Sequence, residues 1–157
     1  MAAHTDNSVV INAPLPVVWD ITNDVADWPN LFTEYAEAKI LECRGNTVRF
    51  RLTMHPDENG KKWSWVSERT ADPQTHTVTA RRVETGFFEY MHIGWYYDVV
   101  EGGTRMRWVQ DFRMKPQAPS SDEQMERYIN ANTIKQMAII KERIEKRHAA
   151  RETVRTS

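Results

Sequence analysis

The chain has 157 residues, 40% hydrophobic and 27% charged, with a formal net charge of -1, a balance that fits one globular domain spanning residues 1–157 and excludes a disordered segment. Near-neutral charge supplies no concentrated basic surface, so neither nucleic acid nor an anionic membrane is expected as a partner. The single cysteine, Cys43, closes no intrachain disulfide, and no run approaches the ~18 apolar residues that span a bilayer, so a cytoplasmic protein in a reducing compartment is expected.

The start, MAAHTDNSVV, lacks a basic region followed by an apolar run, so no leader is expected. Asp6 to Asn12 alternates and is rich in β-branched residues, which predicts a strand. Pro14 and Pro16 then introduce the apolar run Val17 to Ile21, which predicts a short helix. Pro29, flanked by Trp28 and Phe32, fits the first turn of a second short helix or a loop. Six strands follow, predicted over 37–43, 48–54, 63–70, 77–83, 90–100 and 104–113. Turn signals separate them at Arg44-Gly45-Asn46, Pro56 to Gly60, Asp72-Pro73 and Glu101-Gly102-Gly103. Consecutive strands with short turns make an antiparallel meander.

After Lys115-Pro116 the pattern becomes helical, with Ser121 or Asp122 as N-cap. Met125, Ile129, Asn132 or Thr133, Gln136, Ile140 and Ile144 fall on one face. The tail after about residue 148 has little to bury and is expected to fray. This order of elements predicts an α+β helix-grip fold (START/Bet v 1-like), a curved antiparallel sheet wrapped around a long C-terminal helix with an interior cavity.

Strand parity selects the inward residues. In KKWSWVSER, Trp63, Trp65, Ser67 and Arg69 share one face, opposite Lys62, Ser64, Val66 and Glu68. Arg82 continues the face of Val78 and Ala80. Met91, Ile93, Trp95, Tyr97 and Val99 form another face, and Gln110 sits among Met106, Trp108 and Phe112. Each arginine alone reads as a snorkelling rim residue. Two arginines, a serine, an amide and several tryptophans of matching parity read together as a ligand pocket. Glu68, Glu84 and Asp98 fall on the outer face, His55, His76 and His92 lie outward or in turns, and His148 sits near the helix end.

The chain has no HExxH, no phosphate-binding glycine loop, no GxSxG and no metal-spaced cluster. Cys43 reads as a packed strand residue rather than a nucleophile. Ser67 lacks a histidine on its face, which argues against a nucleophilic triad.

The runs WPNLFTEYA (28–36), WSWVSER (63–69), RVETGFFEYM (82–91) and MRWVQDFRMKP (106–116) together resemble the single-domain aromatase/cyclases of bacterial type II polyketide synthases. The likeness is strongest to those of tetracenomycin and spore-pigment pathways. The resemblance implies a cofactor-independent enzyme acting on a linear poly-β-ketone carried on the phosphopantetheine of an acyl carrier protein, with other synthase subunits as further partners. It implies closure of the first ring by aldol condensation, between carbons 9 and 14, and aromatisation. It further implies catalytic roles for Arg69, Tyr35 and Ser67. Substrate contacts fall to Trp28, Phe32, Trp65, Arg82, Met91, Trp95, Trp108, Gln110, Ile129 and Gln136.

Arg69, always protonated, suits an oxyanion better than a base. Tyr35 or an ordered water then moves the proton, with Ser67 holding that group in place. The parity of Tyr35 does not match Ala38 and Ile40, which leaves a sheet-edge tyrosine as the alternative. Lys61, Lys62, Arg49 and Arg51 are candidate docking residues for an acidic carrier protein. The competing function is a non-catalytic carrier of lipids or small molecules, since helix-grip folds serve both.

Overall fold

The strand β1 (Ala3–Ile11) buries alternate residues from Ala3 and Thr5 onward, so it begins earlier than the Asp6 expected from β-branched composition. The computed structural model describes residues 2–156, with side chains through residue 152. Two short helices follow, α1 (Leu15–Asn23) and α2 (Trp28–Leu31), joined by one 3-10 turn. Pro16 and Pro29 each occupy the first turn of their helix, where no intrahelical N–H bond is lost.

The meander then runs through β2 (Tyr35–Arg44), β3 (Thr47–Met54), β4 (Ser64–Asp72), β5 (Thr77–Arg82), β6 (Phe88–Val100) and β7 (Gly103–Met114). All pairings are antiparallel, and β1 returns to pair with β7, giving the order β1-β7-β6-β5-β4-β3-β2. At the β6–β7 turn, Gly103 takes φ 136°, and a Cβ there would stand 2.1 Å from the Ile11 carbonyl oxygen. Only glycine allows β1 and the turn to approach this closely.

The helix α3 (Asp122–Thr156) packs across the inner face of the sheet. Its start is a capping box. The Ser121 hydroxyl accepts from the Gln124 N–H, and the Gln124 side chain accepts from the Ser121 N–H. Thr133, Gln136, Met137, Ile140 and Ile144 are buried, and each aliphatic side chain among them gains about 1.5–3 kcal/mol from burial. The helix runs past residue 148 to Thr156. Around the buried Ile140 and Ile144, polar contacts add to the core. Arg143 and Arg147 donate to the Asn30 carbonyl, Arg147 pairs with Asp27, and Lys141 pairs with Glu145 one turn on.

The outer face of the sheet carries the expected charges as ion pairs: Glu68 with Arg49 and Arg81, Glu84 with Arg51, and Asp98 with Arg105. Cys43 is exposed rather than packed, because β2 is an edge strand whose second half leans away from the core. Among the described residues no helix is long and apolar enough to cross a membrane.

Candidate functional site

Helix α2 and the strands β4, β5, β6 and β7 deliver an aromatic interior. Trp28 is fixed at its indole N–H, which donates to the Thr22 carbonyl at 3.1 Å. Its ring stacks on Trp95 at 5.7 Å, Trp95 stacks on Trp108 at 4.4 Å, and Trp108 stacks on Phe32 at 5.9 Å. These four side chains are buried and line the interior between sheet and helix against one another. Concavities of about 420 Å3 between β1 and α3, and about 350 Å3 on the outer face of the sheet, contain none of the interior site residues.

Two guanidiniums enter this interior from neighbouring strands. Arg69 is 3% exposed and lies over Trp28 at 5.0 Å and Trp95 at 4.6 Å. Its Nη2 donates to Asn23 Oδ1 at 2.9 Å, while Nε and Nη1 are buried with no partner. Burial lowers its pKa to about 10, opposed by the Tyr97 phenol beside it. Arg82 is held between Trp65 at 4.1 Å and Phe88 at 4.6 Å, and burial lowers its pKa to about 10 as well. Cation–π contact with desolvated rings keeps both charged in apolar surroundings at neutral pH. Ser67, buried, pairs in register with Arg82 and precedes Arg69 by two residues on the same face.

Beside Arg82 lies a carboxylate with no clear sequence signal. Glu34 is half-buried, and its Oε2 accepts from Asn132 Nδ2 at 2.8 Å. Burial raises its pKa, opposed by hydrogen bonds from Asn132 and Tyr35 and by the Arg82 charge. Tyr35 rests against Phe32 at 5.0 Å, Trp28 at 6.1 Å and Trp65 at 6.2 Å. Burial, then the Glu34 charge, push its pKa well above the usual phenol value, so it stays protonated at neutral pH. A register shift between Tyr35 and Glu37 inserts an extra residue opposite β3. This bulge turns Tyr35 and Ala38 to the same face despite their odd spacing.

Trp28, Phe32, Tyr35, Trp65, Ser67, Arg69, Arg82, Trp95 and Trp108 therefore converge. Gln110 lies nearby with its Nε2 donating to Thr133 Oγ1 at 2.9 Å. Met91 and Ile129 belong instead to a second apolar cluster with Ala3, Phe88, Phe112 and Met114. Gln136 is buried but both ends of its amide are engaged, Oε1 by the Thr33 N–H and Nε2 by the Thr33 hydroxyl. It ties α3 to the loop before β2. Trp63 does not join the interior face. It precedes β4 and is exposed, donates its indole N–H to Asp57, and has the Lys61 ammonium 3.9 Å over its ring. Arg49 and Arg51 are engaged by Glu68 and Glu84.

Beyond the two Arg69 nitrogens, the buried side-chain polar atoms without a partner among the described residues are Trp108 Nε1 and Thr5 Oγ1. Arginine and tryptophan side chains are donors only. Three of the four orphans thus ask for an acceptor, and a buried donor left unpaired costs about 1–3 kcal/mol.

Residues 2–145 match the family described as "Polyketide cyclase / dehydrase and lipid transport". The chain belongs to this family. This family member is 60% identical over 92% of its length to a Streptomyces cyaneus protein named "Putative polyketide cyclase", covering 95% of that protein. It is 28% identical to the actinorhodin polyketide synthase bifunctional cyclase/dehydratase of Streptomyces coelicolor, across 92% of this chain and 45% of that one. Its backbone superposes on the ZhuI aromatase/cyclase of Streptomyces sp. R1128 with a TM-score of 0.83 at 21% identity, covering 94% and 96% of the two chains. That likeness shows the helix-grip fold.

Proposed function

We propose that the protein is a polyketide aromatase/cyclase that folds a linear poly-β-ketone, held on an acyl carrier protein, and directs closure of the first ring between carbons 9 and 14. A spore-pigment pathway is the setting the resemblance favours. The observation that carries the reading is the set of orphan donors, Arg69 Nε and Nη1 with Trp108 Nε1, buried among stacked aromatic rings. A poly-β-ketone offers carbonyl acceptors at every second carbon and no comparable donors, so its chemistry complements that set. A plain acyl chain would leave the same donors unpaired.

In this reading a carbon between two ketones loses a proton, and the resulting enolate attacks a carbonyl carbon further along the chain. The attacked oxygen takes up the electron pair, and Arg69 stabilises it as an oxyanion. Glu34, the carboxylate beside Arg82, receives the proton, and Tyr35, held in its protonated form, donates to a carbonyl or to the new alkoxide. Arg82 and Gln110 anchor other carbonyls, and Ser67 holds the reacting segment. Loss of water and enolisation then give the aromatic ring. The aromatic walls select one cyclisation by excluding the conformations that lead to others.

The test is a reconstituted minimal polyketide synthase, with products compared by mass and chromatography with and without the protein. One first-ring-cyclised product replacing a mixture, and lost in Arg69→Ala, supports the reading. An unchanged mixture together with tight binding of a fatty acid replaces it with a carrier.

A further inference from the structure

The wall behind Arg69 contains a set of hydrogen bonds that the proposed chemistry does not use. Asn23, the last residue of α1, donates its amide N–H to the Trp19 carbonyl at 2.9 Å. That bond fixes which end of the amide faces the interior, and Oδ1 accepts from Arg69 Nη2 at 2.9 Å. The neighbouring Thr22 hydroxyl donates to the Val18 carbonyl at 2.7 Å. A hydroxyl carries one proton, so the 2.7 Å contact between Thr22 Oγ1 and the Tyr97 hydroxyl is donated by Tyr97. The Tyr97 proton is thereby turned away from Arg69, and the phenol oxygen presents its lone pairs to the guanidinium beside it. The Thr22 carbonyl also holds the indole of Trp28, on which that guanidinium lies.

We infer that Thr22, Asn23 and Tyr97 act as positioning residues: Asn23 holds the guanidinium at Nη2, Thr22 and Tyr97 fix the lone pair that faces it, and its Nε and Nη1 donors are so left aimed on two sides, each at a substrate oxygen of its own. Two residues from the last turn of a helix and one from β6 orient both the cation and its stacking ring. Without them the guanidinium would turn to satisfy its own free donors on the nearest backbone carbonyl, and the two donors would lose their aim. The inference rests on the cyclase reading for its consequence, because an aimed donor matters only if an oxygen arrives at it.

The variants Asn23→Ala, Asn23→Asp and Tyr97→Phe separate positioning from mere support. Asn23→Ala and Tyr97→Phe are expected to lower the yield of cyclised product by about 10- to 100-fold, the scale of a misplaced reacting group. Asn23→Asp keeps an acceptor at the same place but adds a carboxylate that neutralises the cation. It is expected to match or exceed wild-type thermal stability and still lose cyclisation. The second readout is the 15N side-chain spectrum of Arg69 in the free protein: a held guanidinium gives two resolved Nη resonances, which Asn23→Ala averages into one.

Full cyclisation in Asn23→Asp, or wild-type product yield and unchanged Nη resonances in Asn23→Ala, would overturn the inference. If Arg69→Ala itself leaves the products unchanged, the cyclase reading fails instead, and the Nη spectra still decide whether the bracket holds the guanidinium.

Discussion

Replacing Arg69 with methionine should keep the fold at least as stable while abolishing directed cyclisation. The guanidinium is 3% exposed, and its pKa is lowered from 12.5 to about 10 by burial. At 1.36 kcal/mol per pH unit, the charged form is disfavoured in the fold by about 3 kcal/mol at neutral pH. Contacts with the Trp28 and Trp95 rings, at 5.0 and 4.6 Å, return about 1 kcal/mol each when desolvated. The hydrogen bond from Nη2 to Asn23 returns about 1 kcal/mol more, so a net cost of at most about 1 kcal/mol remains. Methionine, of similar length and without donors, removes that cost and keeps contact with both rings. The melting temperature should stay level or rise by roughly 2–4 °C, the shift that 1 kcal/mol produces in a chain of this size. Urea unfolding read by tryptophan fluorescence, with an unchanged slope, measures the first part, and product analysis the second. A loss of 3 kcal/mol or more in Arg69→Met would refute the reasoning, because it would make the arginine a structural strut rather than a charge kept at a cost.

Three further outcomes follow from the same geometry. Glu34 binds its proton more tightly in the folded chain than in the unfolded one, because burial raises its pKa. Stability should therefore fall as pH rises from the ordinary carboxylate range through that raised value, and Glu34→Gln should flatten the dependence in urea melts between pH 4 and 8; an identical slope in the variant would contradict it. Gln136→Ala breaks two hydrogen bonds to Thr33 and should cost about 1–2 kcal/mol in denaturant unfolding while the surviving folded protein still cyclises. Gly103→Ala forces a Cβ to within 2.1 Å of the Ile11 carbonyl at φ 136° and should destabilise by about 3 kcal/mol or more, seen as an early melt of the β1–β7 edge by hydrogen exchange.

Period-two alternation made most of the sheet legible, because a strand with one buried face must repeat its apolar set. That rule brought Trp65, Ser67 and Arg69 together, and Arg82 behind Val78 and Ala80. It failed at Tyr35, where a bulge shifts the parity within β2, and at Trp63, where the strand has not yet begun. Glu34 precedes β2 in a loop with no period, so nothing in its neighbours marks it as interior. The hydrogen bond from Arg69 to Asn23 joins residues 46 apart, a pairing that only the fold of α1 under the sheet creates. Cys43 was read as packed and is exposed. Composition suggests burial but does not say which strand forms the sheet edge.

The most direct measurement is the position of the first carbon–carbon bond. The reconstituted synthase is supplied with doubly 13C-labelled acetate units, and carbon–carbon couplings in the product are read by NMR with and without the protein. The account predicts a single closure between carbons 9 and 14 when the wild-type protein is present, and a mixture of closures with Arg69→Met. The same distribution of closures with and without the wild-type protein would contradict it.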